Sequence, residues 1–272
     1  MGSTRSTGSS RARRVALAAG AGLVLLGTAG CSDESAIGRL GYPEPVTEQG
    51  PILLSFWQDS WVAAWLVGAL TWGLIFWAII AYRRRTNEGA PVQTRYNLPL
   101  EILYTVTPTI MIAALFVVTA RDQAELTKQT DNAKPIGVVG YKWNWAFNYP
   151  EGAYDVGTPA RPADLYLPVG EKIRFKLTSP DVIHSFWVPQ FLFKMDVIPG
   201  RQNEFELTPN KEGVFAGKCA ELCGTDHSRM LFNVHVVSQA EYDQHIADLK
   251  AAGQDGQLET GRIVTTGVPA GR

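Results

Sequence analysis

The chain is poor in cysteine, in net charge and in internal repetition, and each shortage narrows what it can be. Only Cys31, Cys219 and Cys223 occur in 272 residues, which excludes a disulfide-stapled scaffold and leaves each thiol needing its own explanation. The formal net charge is -1 and no basic stripe is present, so nothing points to nucleic acid as a partner. No segment repeats, which removes solenoids and propellers. Charge itself is missing from two long stretches, residues 60–82 and 102–120. Each is about the ~20 apolar residues that a membrane-spanning helix needs.

What is there divides the chain into seven parts. Residues 1–31 read as an export signal, with Arg5, Arg11, Arg13 and Arg14 as a basic head and an apolar middle over 15–26. The small residues Gly27, Thr28, Ala29 and Gly30 precede Cys31, and the segment resembles a bacterial lipoprotein signal in which that cysteine is acylated. Thr28 stands where such signals usually carry Leu; ordinary cleavage nearby, or an uncleaved anchor, is the alternative. Residues 32–55, polar and broken by Gly and Pro, read as an exposed linker. A first transmembrane helix is expected over 56–82, with Trp57 and Trp61 at one end and Trp77 and Tyr82 at the other, as interfacial belts. Arg83, Arg84 and Arg85 open a loop over 83–98 that the positive-inside rule puts in the cytoplasm. A second helix over 99–120, with Pro108 inside it, returns to the outer face of a bacterial cell membrane. The rest of the chain is therefore expected outside.

Beyond Pro135 the period changes to that of strands. Tyr141, Trp143, Trp145, Phe147 and Tyr149 alternate and predict one aromatic strand, and residues 164–169, 172–178, 201–208 and 230–237 predict four more. Short strands split by Gly and Pro turns imply a β-sandwich. A capping box at Ser238 and Glu241 opens a closing helix carrying Tyr242, Ile246 and Leu249 on one face. The exported domain thus spans 121–250, and 251–272 reads as a flexible tail.

The densest chemistry lies between Cys219 and Met230, in Cys-Ala-Glu-Leu-Cys-Gly-Thr-Asp-His-Ser-Arg-Met. Thiolates and a thioether are soft ligands suited to copper, while the imidazole of His227, with that of His184 upstream, suits copper, zinc or iron. Two Cys, two His and one Met exceed the ligand set of a single blue-copper ion and are enough for two copper ions bridged by thiolates. Two other readings stay open on the residues alone: a Cys2His2 zinc site, and a Cys219–Cys223 disulfide in an exported domain.

The loop with its upstream His184, the hairpin and the aromatic strand together resemble cytochrome c oxidase subunit II over roughly residues 37–250. The resemblance implies a Greek-key cupredoxin sandwich holding a dinuclear CuA centre. Cys219 and Cys223 would bridge the two copper ions, His184 and His227 would be terminal ligands, and Met230 and the Glu221 carbonyl weak axial contacts. It also implies that Glu221 offers its carboxylate to magnesium at the boundary with the catalytic subunit. Trp143 would receive the electron from a c-type cytochrome, with Trp145 and Phe147 completing an aromatic patch. Glu101 would stand near the mouth of a proton-uptake channel. Electrons would pass to haem in subunit I, where oxygen is reduced to water with proton pumping, so the chain is an enzyme only within its complex. Asn144 and Lys142 depart from the family pattern, and the positive charge of Lys142 beside Trp143 points to a membrane-tethered c-type donor rather than a basic soluble one. His235 and His245 match no motif and read as a strand and a helix-surface histidine. A quinol oxidase subunit lacks these copper ligands, nitrous oxide reductase needs a further large domain, and a copper chaperone or storage protein needs neither Trp143 nor the hairpin.

Overall fold

The structure, a computed structural model, describes residues 36–83, 93–158 and 160–258. The export signal with Cys31, Arg84 and Arg85 of the loop, and residues 259–272 lie outside the described residues. The described residues 36–44 belong to a unit separate from the rest, in which Arg39 Nε donates to the Tyr42 carbonyl at 3.1 Å.

Two long helices come first. Helix α1 runs Gly50–Ala81 and helix α2 Leu98–Leu126. Both are long and apolar enough to cross a membrane. Their side chains face outward, with Leu66 and Phe116 each 70% exposed. Apolar surface on that scale requires lipid or a partner subunit against it. α1 starts ahead of the expected span because Pro51 sits at its first turn, where a missing N–H costs nothing. Pro108 is accommodated inside α2, which continues past its apolar run through Arg121 to Leu126. The stretch expected as an exposed linker is in part a component of the fold. Val46 and Thr47 are buried, and Glu48 N donates to the Thr208 carbonyl at 2.9 Å.

The part that follows α2 is a sandwich of two five-stranded sheets. One contains β1 (Lys134–Tyr141), β2 (Asn144–Tyr149), β3 (Ala153–Val156), β5 (Ile173–Thr178) and β8 (Asn203–Leu207), in the order β3-β2-β1-β5-β8. The other contains β4 (Ala163–Pro168), β6 (His184–Val188), β7 (Phe193–Val197), β9 (Gly213–Cys219) and β10 (Leu231–Val237), in the order β4-β10-β9-β6-β7. Inward-facing aromatics fill the space between them. Phe186 stacks on Phe232 at 4.9 Å, and Trp145 meets the edge of Phe232 at 5.1 Å. Each such ring removed from water contributes on the order of 2–3 kcal/mol.

The single aromatic strand expected over 141–149 is instead two strands. β1 pairs antiparallel with β2, from Tyr141↔Asn144 outward, and the chain reverses at Lys142 and Trp143. Trp143 therefore sits on a turn, while Trp145 and Phe147 are fully buried. They belong to the core and do not form the exposed patch expected of them. Helix α3 (Gln239–Ala251) closes the domain, with both arms of the Ser238–Glu241 capping box formed and Tyr242, Ile246 and Leu249 buried. His245, expected on the helix surface, stacks face to face on Tyr166 at 3.6 Å, and His235 covers the other face of that ring at 4.4 Å. The start of the expected tail is pinned too: Leu258 N donates to Asn148 Oδ1 at 2.8 Å, and Gln257 Nε2 to the Tyr149 carbonyl at 2.6 Å.

Candidate metal centre

Strand register brings the ligand candidates to one end of the second sheet. His184 opens β6 and Cys219 closes β9, and these strands pair antiparallel with Phe186 opposite Cys219. The chain then leaves the sheet as a loop and returns at Met230, whose carbonyl accepts from Cys219 N at 3.1 Å. That bond closes the loop at its base. Within it, His227 begins a one-turn 3-10 helix over His227–Arg229, braced by Arg229 N donating to the Asp226 carbonyl at 2.9 Å.

The donor atoms converge. Cys219 Sγ and Cys223 Sγ lie 3.9 Å apart, far beyond the roughly 2.05 Å of a disulfide. His184 Nδ1 stands 3.9 Å from Cys219 Sγ, and His227 Nδ1 3.6 Å from Cys223 Sγ. Met230 Sδ is 3.8 Å from Cys223 Sγ, and the Glu221 carbonyl 3.2 Å from Cys219 Sγ. The ligand atoms of His184, Cys219 and Cys223 fall within 4.8 Å of one another, close enough to hold a metal ion. His184, Cys219, Cys223 and Met230 are buried, His227 is half-buried, and the Glu221 side chain is exposed. All six residues singled out in the sequence meet here.

The electrostatics of the site favour one thiolate. Burial opposes ionisation of Cys219, but hydrogen bonds from His184 and from backbone groups at Glu221 and Ser185 outweigh it, and its pKa falls to about 6. Cys223, buried and facing that negative sulfur, is pushed up to about 12. A cation placed between the sulfurs relieves this conflict, because metal binding displaces thiol protons. Asp181 was not singled out in the sequence. Burial works against its charge, yet hydrogen bonds from His184 and from the Lys142 and Val182 amides bring its pKa down to about 2. Its signal was present as an acid three residues ahead of a ligand histidine.

Trp143 lies beside the loop. An added Cβ on Gly224, the residue after Cys223, would come 3.1 Å from the indole, and Gly224 holds φ +130°. Gly is thus required there both for backbone conformation and for contact with Trp143. Gly140 plays a similar part beneath His184, whose Cβ would stand 3.3 Å from a side chain at that position.

A family profile described as cytochrome c oxidase subunit II, periplasmic domain, matches residues 160–237. A probable cytochrome c oxidase subunit 2 of Streptomyces avermitilis is 48% identical, over 97% of this chain and 96% of that protein. The chain belongs to the cytochrome c oxidase subunit II family. Cytochrome c oxidase subunit 2 of Mycobacterium tuberculosis is 33% identical over 86% of this chain and 81% of its own length. The solved periplasmic domain of subunit II of cytochrome oxidase of Bradyrhizobium japonicum, 31% identical, covers 47% of this chain and 99% of that one, with a TM-score of 0.42. The chain is accordingly a component of a haem–copper oxidase, its two apolar helices fit a two-pass membrane protein, and its His/Cys/Cys cluster fits a copper site.

At the other end of a subunit II helix, Glu101 sits in the first turn of α2 and accepts from Asn97 N at 3.1 Å, while Asn97 Oδ1 accepts from Leu100 N at 3.3 Å. The pair caps the helix, and the carboxylate suits the positive end of the dipole.

Proposed function

We propose that the cluster holds a dinuclear CuA centre, and that the chain accepts electrons from a c-type cytochrome for haem in the catalytic subunit I. The observation that carries this reading is the 3.9 Å approach of two buried thiols, each with an imidazole Nδ1 beside it. Cys219 and Cys223 would hold the copper pair as bridging thiolates, His184 and His227 as terminal imidazoles, and Met230 Sδ and the Glu221 carbonyl as weak further donors. A copper pair bound there supplies one-electron chemistry with little reorganisation. The chain's residues do the rest: the sandwich keeps water from the thiols, and paired strands hold His184 and Cys219 in place. A zinc site would leave the thioether without a role.

Trp143 is the point at which the electron arrives, through an indole lying against Gly224. Lys142 beside it disfavours a basic soluble cytochrome and favours a membrane-tethered c-type donor. The hairpin carries the copper domain on the outer face of a bacterial cell membrane, and Cys31 bears a lipid. The exposed Glu221 carboxylate is a hard ligand suited to magnesium at the subunit I boundary. Glu101 contributes to the mouth of the proton-uptake channel that serves pumping. Elemental analysis of the purified oxidase tests the central assignment. The expected result is two copper ions per subunit II beyond those of the catalytic subunit; a single additional copper, or zinc in its place, contradicts it.

A further inference from the structure

One carboxylate joins the turn that carries Trp143 to the ligand His184. Asp181 Oδ2 accepts from Lys142 N at 2.7 Å, in the two-residue turn between β1 and β2. Its Oδ1 accepts from Val182 N at 2.6 Å and lies 2.9 Å from His184 Nε2. Ser179 Oγ stands 3.2 Å from the same oxygen and donates to the Val182 carbonyl at 2.6 Å, which fixes the Asp181 loop from behind. An ionised carboxylate only accepts hydrogen bonds. His184 thus meets Asp181 through Nε2, while its Nδ1 is the ring nitrogen that faces Cys219 Sγ, 3.9 Å away. On the other side, the Trp143 indole rests against Gly224, next to Cys223. The turn is thus held to the site twice, by a hydrogen-bonded carboxylate at His184 on β6 and by ring contact with Gly224 in the loop.

We propose that Asp181 is a positioning residue for electron transfer, fixing the Trp143 turn and the His184 imidazole in one relative geometry through its two oxygens. The proposal rests on the CuA reading above. It goes beyond that reading by naming a residue that is not itself a ligand. Asp181 also supplies a hydrogen-bonded link from the Lys142 amide to the His184 imidazole. Losing one outer partner of a metal ligand costs on the order of 10–100-fold in affinity or activity.

The test uses the whole oxidase carrying Asp181→Ala, Asp181→Asn or Trp143→Ala in subunit II. Three quantities are read: the copper spectrum, reduction of copper by a reduced c-type cytochrome and by a small reductant, and amide exchange of Lys142. Asp181→Ala is expected to perturb the spectrum, speed exchange of the Lys142 amide and slow reduction by the cytochrome by roughly tenfold or more. Trp143→Ala should slow cytochrome reduction alone and leave the spectrum unchanged. Asp181→Asn keeps the shape but has a single accepting oxygen, so it should restore one arm and lose the other. It should therefore fall between wild type and Ala, and it keeps the test open if the Ala variant does not assemble. A wild-type spectrum, exchange rate and cytochrome rate in both Asp181 variants would overturn the proposal. If instead the unmodified protein lacks a dinuclear copper spectrum, the CuA reading fails, and the Lys142 exchange rates alone decide whether Asp181 holds the turn.

Discussion

The two halves of the candidate site are built differently. His184 and Cys219 sit on paired strands, where register sets their positions and Asp181 orients the imidazole. Cys223, His227 and Met230 hang on a loop whose tip is open to solvent, with Leu222 78% exposed. Among the described residues His227 has no carboxylate counterpart to Asp181, and its contact is with Cys223 itself. The strand half is thus formed by the fold, whereas the loop half has closed ends and a tip that bound metal is suited to fix. A site that changes little on gaining or losing an electron gains from this division, since the rigid half holds position while the loop half admits the metal.

The most drastic way to break the comparison is to remove a sulfur from each half in turn. Cys219→Ser and Cys223→Ser should both abolish the dinuclear copper spectrum, since an alcohol does not replace a bridging thiolate. A normal spectrum after either change refutes the bridging roles. A smaller effect separates the halves. With copper removed, His184→Ala should lower the stability of the sandwich domain by about 2 kcal/mol or more, because it empties a fully buried position and takes one hydrogen bond from the Asp181 carboxylate. His227→Ala should stay within about 0.5 kcal/mol, as expected of a half-exposed loop residue. Thermal unfolding of the metal-free protein distinguishes them, and equal losses would erase the distinction. Met230→Leu should cost folding less than about 1.5 kcal/mol, as expected of a volume-conserving swap. It should still shift the copper reduction potential through the lost axial contact. An unchanged potential removes Met230 from the site.

The loop half was legible in the sequence because its ligands are crowded into twelve positions and their types are rare elsewhere in the chain. The strand half was harder. His184 was noted as a second imidazole upstream, but its ligand role came only through the resemblance, since nothing local announces that β6 will pair with β9. The strands β6 and β9 themselves were missed: His-Ser-Phe-Trp-Val is buried on nearly every position, and Gly-Val-Phe-Ala-Gly-Lys-Cys carries two glycines that weaken a strand signal. The turn at Lys142 and Trp143 carries no Gly, Pro or Asn, so an alternation running through it read as one strand. That misreading put Trp145 and Phe147 on the surface. Asp181 escaped for a related reason: its two partners, Lys142 and His184, meet only once that hairpin has turned back. The helices were legible because a bilayer imposes length and charge limits on any spanning segment. Their ends were less so, because the caps and the continuation into Gln123 and Leu126 follow local hydrogen bonding rather than apolarity.

The most direct test of the dinuclear centre is the electron paramagnetic resonance spectrum of subunit II within the oxidized oxidase. The account predicts a hyperfine pattern from one unpaired electron shared equally by two copper nuclei, lost in both Cys→Ser variants. A pattern from a single copper nucleus, or no copper signal assignable to this chain, would contradict it.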